Sequence, residues 1–387
     1  MTTSYQSASR SATPSSPFTT FDVTVRAVTP LHVGNGIELI RNLDFVTEGN
    51  EFVVLDVERV YGQLFNKLPE AQWLQLANLP LSRVLNTTGA RELAKYRLPI
   101  ADGASDEGYE GVRAHIRDGF GRAYMPASSL KGAIRTAFAT AFAAEVGQEW
   151  VDDKLREVTG RRPRREFAAQ ALDQDVFGGR PNNDALRALR PSDLYAATND
   201  ESAALELVET RVVKRNGDST ATIMVEAMPI GTTLHGTMTV DVNPMAYLDE
   251  RLRDAWGGLT GFAALGAVGF LRQQSDALIV RERRYLGGSA VAAEYVALER
   301  LQSTLPETDA LVWVGWGSGW TAKTYGEALT ASPEFPQVAG TFRLGSAGRD
   351  PMAFPTTRRL VFSGERATKP MGWAVVTITP RGSGHGR

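Results

Sequence analysis

Apolar and polar positions alternate along much of the chain with the two-residue period of half-buried strands. Phe21 to Val28 (FDVTVRAV) is the first such run, and Thr29-Pro30 followed by Gly34-Asn35-Gly36 breaks it into a loop. Leu43 to Val46 and Phe52 to Leu55 read as a hairpin around Glu48-Gly49-Asn50. Leu205 to Val213 and Ile223 to Ala227 read as strands joined by the polar stretch Lys214-Arg215-Asn216-Gly217-Asp218. Thr232 to Val242 alternates as a strand, Leu311 to Trp316 is a strand ending in glycines, and Trp373 to Ile378 is the last strand.

A different period marks the helices. In SSLKGAIRTAFATAFAAEV, Leu130, Ile134, Phe138 and Phe142 recur every four residues, and Ser128 or Ser129 is placed to cap the start. Val57 to Leu68, Glu70 to Ala77 and Tyr247 to Leu265 also read as helices, with Pro69 separating the first two. Arg91 to Ile100 is ambiguous, residues 101–111 (ADGASDEGYEG) read as a loop, and Arg161 to Arg165 as a loop or a frayed helix end. The resulting order, strand–helix–strands and then strands–helix–strand, predicts an α+β chain with two similar halves. It suits two ferredoxin-like sheets, the plan of RRM-like modules, although the paired-aromatic stacking motif of those modules is absent. The expected division is a disordered Ser/Thr-rich tail over 1–20, an N-terminal domain with a helical insertion over 21–204, a C-terminal domain over 205–380 and a loose tail over 381–387.

Composition narrows the function classes. A chain of 387 residues suits two domains, and 43% hydrophobic residues supply cores of ordinary size. With no cysteine, disulfides and thiolate metal sites are excluded, in keeping with a cytoplasmic protein. The histidines, His32, His115, His235 and His385, are too far apart in sequence for a metal-ligand motif, so neither a metal nor a cofactor is expected. No apolar run approaches the roughly 20 residues that span a bilayer. The net charge of −2 argues against a binder that coats nucleic acid with its whole surface and leaves cationic function to local clusters. Lys154 to Arg165 and Arg281-Glu282-Arg283-Arg284 are two such clusters, each also readable as a solvated face.

Four segments carry candidate chemistry. In TPLHVGNG, glycines such as Gly34 admit a phosphate to backbone N–H groups, and His32 is placed to donate to it or to act as a general base. In PASSLKGAIR, Ser129 and Lys131 lie in the first turn of a helix, where a lysine opposes the dipole unless an anion sits there, and Arg135 shares the face of Lys131. GWGSGWTAKT comes close to a P-loop but has Ala322 at its last glycine position, with no following strand that ends in a magnesium-holding aspartate. Gly317, Gly319 and Lys323 with the flanking tryptophans suit RNA backbone and base stacking better. Arg211 to Arg215 (RVVKR) would form a projecting basic hairpin with Ile223 to Ala227, with Lys214 and Arg215 as its RNA-binding candidates. A turn histidine, a core helix, a tight turn around core tryptophans and a solvated hairpin are the structural alternatives at these four places. No paired carboxylates suit metal-dependent cleavage, Asp152-Asp153 reads as a surface pair, and no Ser/His/Asp arrangement is recognisable by spacing.

Taken in order, TPLHVGNG, YMPASSLKGAIRTAF, DVFGG (Asp175 to Gly179), LRPSDL (Leu189 to Leu194), GWGSGWTAKT and KPMGW (Lys369 to Trp373) resemble the RAMP-superfamily subunits of type III-A CRISPR effector (Csm) complexes. The likeness runs over about residues 21–376. It departs from the family in the Ser-rich N-terminal tail and the RRPRR insertion. The SLKG-type helix is shared widely among RAMP proteins, whereas the glycine-tryptophan loop with PMGW points to the subunit that caps the crRNA 3′ end. The resemblance implies two ferredoxin-like RAMP domains with helical and loop insertions at the end of a filament of related subunits. It implies contacts to crRNA and to other RAMP subunits, and a part in crRNA maturation for antiviral defence. That part is as a non-catalytic scaffold for recruited housekeeping nucleases, away from membranes. Carried over by position, the RNA-facing residues are His32, Gly34, Ser129, Lys131, Arg135, Gly317, Gly319 and Lys323. The alternatives are a metal-independent crRNA-processing endoribonuclease with His32 as base and Lys131 or Lys323 stabilising charge, and a different RAMP subunit of the backbone or of a type III-B complex.

Overall fold

The first strand, β1 (Phe18–Ala27), buries Phe21, Val23, Val25 and Ala27 and turns Asp22, Thr24 and Arg26 outward, as its alternation requires. The structure, a computed structural model, describes residues 18–67, 89–104, 108–160, 168–197, 205–241, 265–344 and 354–381. After β1 come β2 (Gly34–Ile40), β3 (Phe45–Glu48), β4 (Glu51–Leu55), α1 (Val57–Lys67), β5 (Ala94–Pro99), β6 (Gly111–His115) and β7 (Tyr124–Met125). Three helices follow, α2 (Ala127–Val146), α3 (Gln148–Gly160) and α4 (Gln170–Phe177), then β8 (Leu189–Pro191), β9 (Leu194–Ala196), β10 (Glu206–Lys214), β11 (Ser219–Ala227) and β12 (Thr233–Asp241). The last third holds α5 (Leu265–Tyr285), α6 (Ala292–Thr304), β13 (Asp309–Trp313), α7 (Glu327–Thr330), α8 (Phe335–Thr341), β14 (Thr357–Ser363), β15 (Arg366–Pro370) and β16 (Trp373–Pro380).

The chain is α+β, as expected. One sheet runs β13-β16-β1-β12-β9-β7, with β8 also on β12; a second runs β15-β14-β10-β11-β6-β2; β3, β4 and β5 form a third. Strands pair antiparallel throughout except β11 with β6. A cut between residues 204 and 205 passes through both large sheets: β1 lies between β12 and β16, and β6 joins β2 to β11. At its β13–β16 end the first sheet is buried on both faces. Ala310, Val312, Ala374 and Val376 enter the main core with α2. Leu311, Trp313, Trp373 and Val375 pack with Leu278 and Tyr295 from α5 and α6.

Several expectations are corrected. Phe18 to Thr20 are not tail but the start of β1, paired with Asp241, Val240 and Thr239, and Arg381 donates its N–H to the Thr20 carbonyl at 3.0 Å. Gly34-Asn35-Gly36 opens β2 instead of a loop, with a register shift before Glu38. Neither Ser128 nor Ser129 caps α2. Pro126 occupies the cap position, and Asp193 accepts from the Ala127 N–H at 2.7 Å. Helix α5 was not anticipated, because its apolar residues serve two cores, Val268 and Leu271 one and Leu278 and Ile279 the other, while the polar Gln274 and Ser275 between them and Glu282 beyond them are buried. The basic knot at its end is paired internally: Glu282 with Arg358, and Arg283 with Glu299. Lys154 and Arg156 are likewise engaged, with Asp175 at 2.7 Å and Glu334 at 3.0 Å. The RRPRR segment, the expected helix over Glu70 to Ala77, residues 247–264 and residues 1–17 lie outside the described residues.

Candidate functional site

Three loops that are far apart in sequence are tied into one ridge. Val28 and Thr29 donate their N–H groups to the Trp373 carbonyl at 2.8 and 3.0 Å, and Gly372 donates to Pro30 at 2.9 Å. Val314 in turn donates to Gly372 at 2.9 Å, and Trp316 to the His32 carbonyl at 2.8 Å. This close approach of backbones is what two of the glycines are for. Both have left-handed backbone, φ 79° at Gly315 and 87° at Gly372. A Cβ on Gly315 would lie 2.4 Å from the His32 carbonyl oxygen, and one on Gly372 would lie 2.3 Å from that of Val314. Gly317 is similarly closed off, with Met371 Cβ 2.7 Å from its would-be Cβ, whereas Gly319 faces open space.

Beneath the ridge lies a neutral buried hub. His32 Nδ1 donates to the Glu226 carbonyl at 2.6 Å. His115 Nδ1 accepts from the Val33 N–H at 3.3 Å, and its Nε2 donates to the Tyr124 carbonyl at 3.2 Å. Burial pushes the His32 imidazole down to about 4 and that of His115 down to about 3, so both are uncharged at neutral pH. The Glu226 carboxylate accepts from Tyr96 Oη at 2.6 Å and from the His115 N–H at 2.9 Å, and its burial raises its pKa despite Arg117 nearby. The hub joins β5, β6 and β11 to the loop after β1 and fixes the floor of a cleft.

That cleft has a volume of about 670 Å³, with His32, Gly34, Arg113, Ser129, Trp316 and Lys323 in its walls. Its electrostatics are unbalanced. Arg113 and Arg359 both lie over the Trp316 ring, at 5.2 and 4.8 Å from its centroid. Among the described residues no carboxylate pairs with Arg113, Arg359 or Lys323. Glu38, which stands across the β2–β6 register from Arg113 and also lines the cleft, lies over Gly111 and does not pair with Arg113. Lys323 and Arg359 are held below their ordinary pKa values, first by burial and then by cationic neighbours: Arg359 acting on Lys323, and Arg113 acting on Arg359. The Arg359 Nε is buried with no hydrogen-bond partner. Folding Arg113 and Arg359 against one tryptophan, with Lys323 in the same region and none of the three in an ion pair among the described residues, costs free energy that an anion would recover.

The predicted residues divide around this cleft. His32, Gly34, Ser129, Arg135 and Lys323 line it, and Gly317 and Gly319 line an adjoining pocket with Arg359. Lys131 does not join them: its Nζ donates to the Leu189 carbonyl at 2.9 Å, and desolvation there lowers its pKa. Arg135 is paired with Asp184 at 2.8 Å and Asp173 at 3.6 Å and lies 3.7 Å from the Phe177 ring centroid. His32, Lys131 and Gly317, all carried over as RNA-facing, therefore do not line one cleft: His32 lines it, Gly317 lines the adjoining pocket and Lys131 lines neither. Lys214 ends β10 and Arg215 begins the turn to β11, closed by the Lys214 N–H to Asp218 at 2.9 Å, and neither is in the cleft wall. Arg113 and Arg359 were missed. The only sequence signal for Arg359 is strand alternation, which sends it and Arg358 to opposite faces without saying which face is free. Among the described residues, no group of histidine and carboxylate side chains is arranged to hold a metal ion, and no helix is long and apolar enough to cross a membrane.

Fold and cleft define a class: α+β proteins in which glycine-rich loops at the ends of sheet strands wall a cationic groove. The RAMP superfamily model matches residues 24–272, and the chain belongs to that superfamily. A curated relative, the CRISPR system Cms protein Csm5 of Streptococcus thermophilus, is 28% identical over 196 residues, 46% of this chain and 52% of the relative. The match thus spans about half of that protein's length. Among solved structures, the chain is similar to one from a Csm–crRNA–target RNA ternary complex of a type III-A CRISPR-Cas system (TM-score 0.75, 23% identity, covering 92% of this chain and 100% of that one). It is also similar to T. onnurineus Csm5 (TM-score 0.64, 22% identity, 91% and 99% covered). These likenesses establish a shared fold over nearly the whole chain and agree with the ferredoxin-like RAMP plan expected from its motifs.

Proposed function

We propose that this chain is a non-catalytic RNA-binding subunit of a type III-A CRISPR effector complex, seated at the crRNA 3′ region. It would dock on other RAMP subunits and support crRNA maturation as a scaffold for housekeeping nucleases. The observation that carries the RNA-binding part is Arg113 and Arg359 over Trp316, with Lys323 lining the same cleft as Arg113 and Trp316: three cations with no ion-pair partner among the described residues. Phosphates supply the missing counter-charge, and the tryptophan supplies a surface for a base. The relatives named above supply the complex.

Binding of single-stranded RNA to the full chain across a salt series tests this reading. Arg113→Ala with Arg359→Ala is expected to weaken binding about 10- to 100-fold and to reduce the slope of log affinity against log salt by ~1.4, two phosphate contacts' worth. An unchanged slope would remove the phosphate role. The endoribonuclease reading is weaker: His32 is buried, its Nδ1 is occupied by the Glu226 carbonyl, and a base pushed down to about 4 has little drive to take a proton at neutral pH. Site-specific cutting of precursor RNA in EDTA, lost in His32→Ala, would restore it.

A further inference from the structure

Behind the cationic cleft lies a second, largely apolar cavity of about 400 Å³, walled by Leu172, Phe177, Trp320, Tyr325, Phe335 and Val338. Arg135, Thr136 and Lys323 line both spaces, so the two share a wall. Its volume falls within the range of small-molecule sites, roughly 300–1,000 Å³. Its polar groups are few and local. Tyr325 Oη donates to Asp173 Oδ1 at 3.1 Å, and Asp173 also faces Arg135 at 3.6 Å. Lys323, partly buried at the shared wall and repelled by Arg359, has no acidic partner among the described residues.

We propose that this cavity seats one unpaired nucleobase of the RNA strand whose backbone crosses the cleft, with Lys323 on its phosphate and the ring held among Phe177, Trp320 and Phe335. The occupant follows from the joint geometry. An apolar side chain from a protein would fill the cavity but leave Lys323 and the neighbouring arginines uncompensated. A free anion would compensate them but leave the apolar walls unfilled. A nucleotide satisfies both at once, because its base and phosphate are linked through one sugar. The Asp173 carboxylate, at the polar side of the cavity, is an acceptor for a base's amino or imino hydrogen. The inference rests on the RNA-binding reading above and adds to it that one base is splayed out of the strand.

The test uses the full chain and a set of single-stranded RNAs of one sequence, each carrying one abasic residue at a different position. Affinity is measured by fluorescence anisotropy. One position is expected to be sensitive, losing about 10-fold in affinity when its base is removed, within the range of base–aromatic stacking. Ala169→Trp, at an exposed position of the cavity wall, is expected to lower affinity for intact RNA to that of the sensitive abasic RNA while leaving the salt slope unchanged. RNA that binds with a steep salt slope but is indifferent to every abasic position overturns the base pocket and leaves the phosphate cleft standing. So does an Ala169→Trp protein that still discriminates at the sensitive position. RNA that does not bind at all at low salt removes both readings together. The abasic series on the unaltered chain decides the matter even if the variant does not fold.

Discussion

The start of α2 and the wall formed by β6 and β14 are both basic, yet they differ in what their charges are doing. At the helix, Lys131 is spent on the Leu189 carbonyl and Arg135 on Asp184 and Asp173. At the wall, Arg113 and Arg359 share Trp316 with each other and have no carboxylate partner among the described residues. The same contrast recurs between adjacent residues. Arg358 points inward to a buried bidentate pair with Glu282, one bond of which is 2.8 Å, while Arg359 lies over the Trp316 ring beside the cleft. The lesson is that a basic motif does not by itself make an anion site. A cation already hydrogen-bonded and paired by its own fold has little left to offer a phosphate, and one folded without a partner does.

The comparison is tested hardest at Arg358. Glu282 is fully buried and Arg358 nearly so, so Glu282→Gln leaves a guanidinium charge in the core without its counter-charge. Such a loss costs about 3–5 kcal/mol. Urea denaturation is expected to show that loss, while the folded protein keeps its RNA affinity and salt slope. A variant that is as stable as the parent would mean that Arg358 is tolerated unpaired, and the argument from the unpaired Arg359 would lose its force. The Arg113→Ala, Arg359→Ala double variant sits on the other side of the comparison. It is expected to show the affinity loss set out above with stability unchanged or slightly raised, because it removes repulsion between like charges.

What could be read from the residues alone follows from whether a feature is local. The strand Phe21 to Val28 and the helix beginning at Ala127 each bury one face, and their periods say so within a few residues. TPLHVGNG and GWGSGW were visible as glycine-punctuated loops and PMGW only through the family resemblance, and the structure joins all three through His32, Trp316 and Gly372. Gly34, Gly317 and Gly319 were read as admitting RNA backbone. At Gly315 and Gly372 the space is taken by the chain's own carbonyls, a close approach between segments that no local pattern displays. The hydrogen bond of Lys131 was hidden for the same reason, its partner lying 58 residues away. Arg113 and Arg359 were illegible because their distinguishing property is the absence of a carboxylate partner, which depends on the whole fold around them.

The neutral hub below the cleft gives a smaller effect with a defined sign. The unfolded chain protonates His32 and His115 below an ordinary pKa of about 6.5, whereas the folded chain does so only near 4 and 3. Their contribution to stability is therefore complete above about pH 6.5. It is lost as pH falls toward 4, at no more than about 1.4 kcal/mol per unit for each histidine. Glu226, raised by burial, runs in the opposite sense, so the histidine part is isolated by comparison with a variant. His115→Asn is expected to lower stability at pH 7 and to flatten its fall between pH 6.5 and 4, measured by urea denaturation at each pH. A slope identical to the parent's would show that the imidazole does not stay neutral there.

The smallest effect is the most discriminating. Lys131 occupies the motif position that the family resemblance assigns to RNA, yet its ammonium is hydrogen-bonded within the fold and lies outside the cleft wall. Lys131→Met keeps the length and apolar character of the stem and removes the charge. The lost hydrogen bond should cost about 1 kcal/mol of stability. RNA affinity should stay within about twofold, with an unchanged salt slope, since no phosphate contact is removed. A fall of tenfold with a slope reduced by ~0.7 would mean that the lysine leaves Leu189 to meet a phosphate when RNA arrives. In that case pairing within the free protein would no longer predict which cations bind, and the contrast between the helix start and the sheet wall would be one of readiness, not of role.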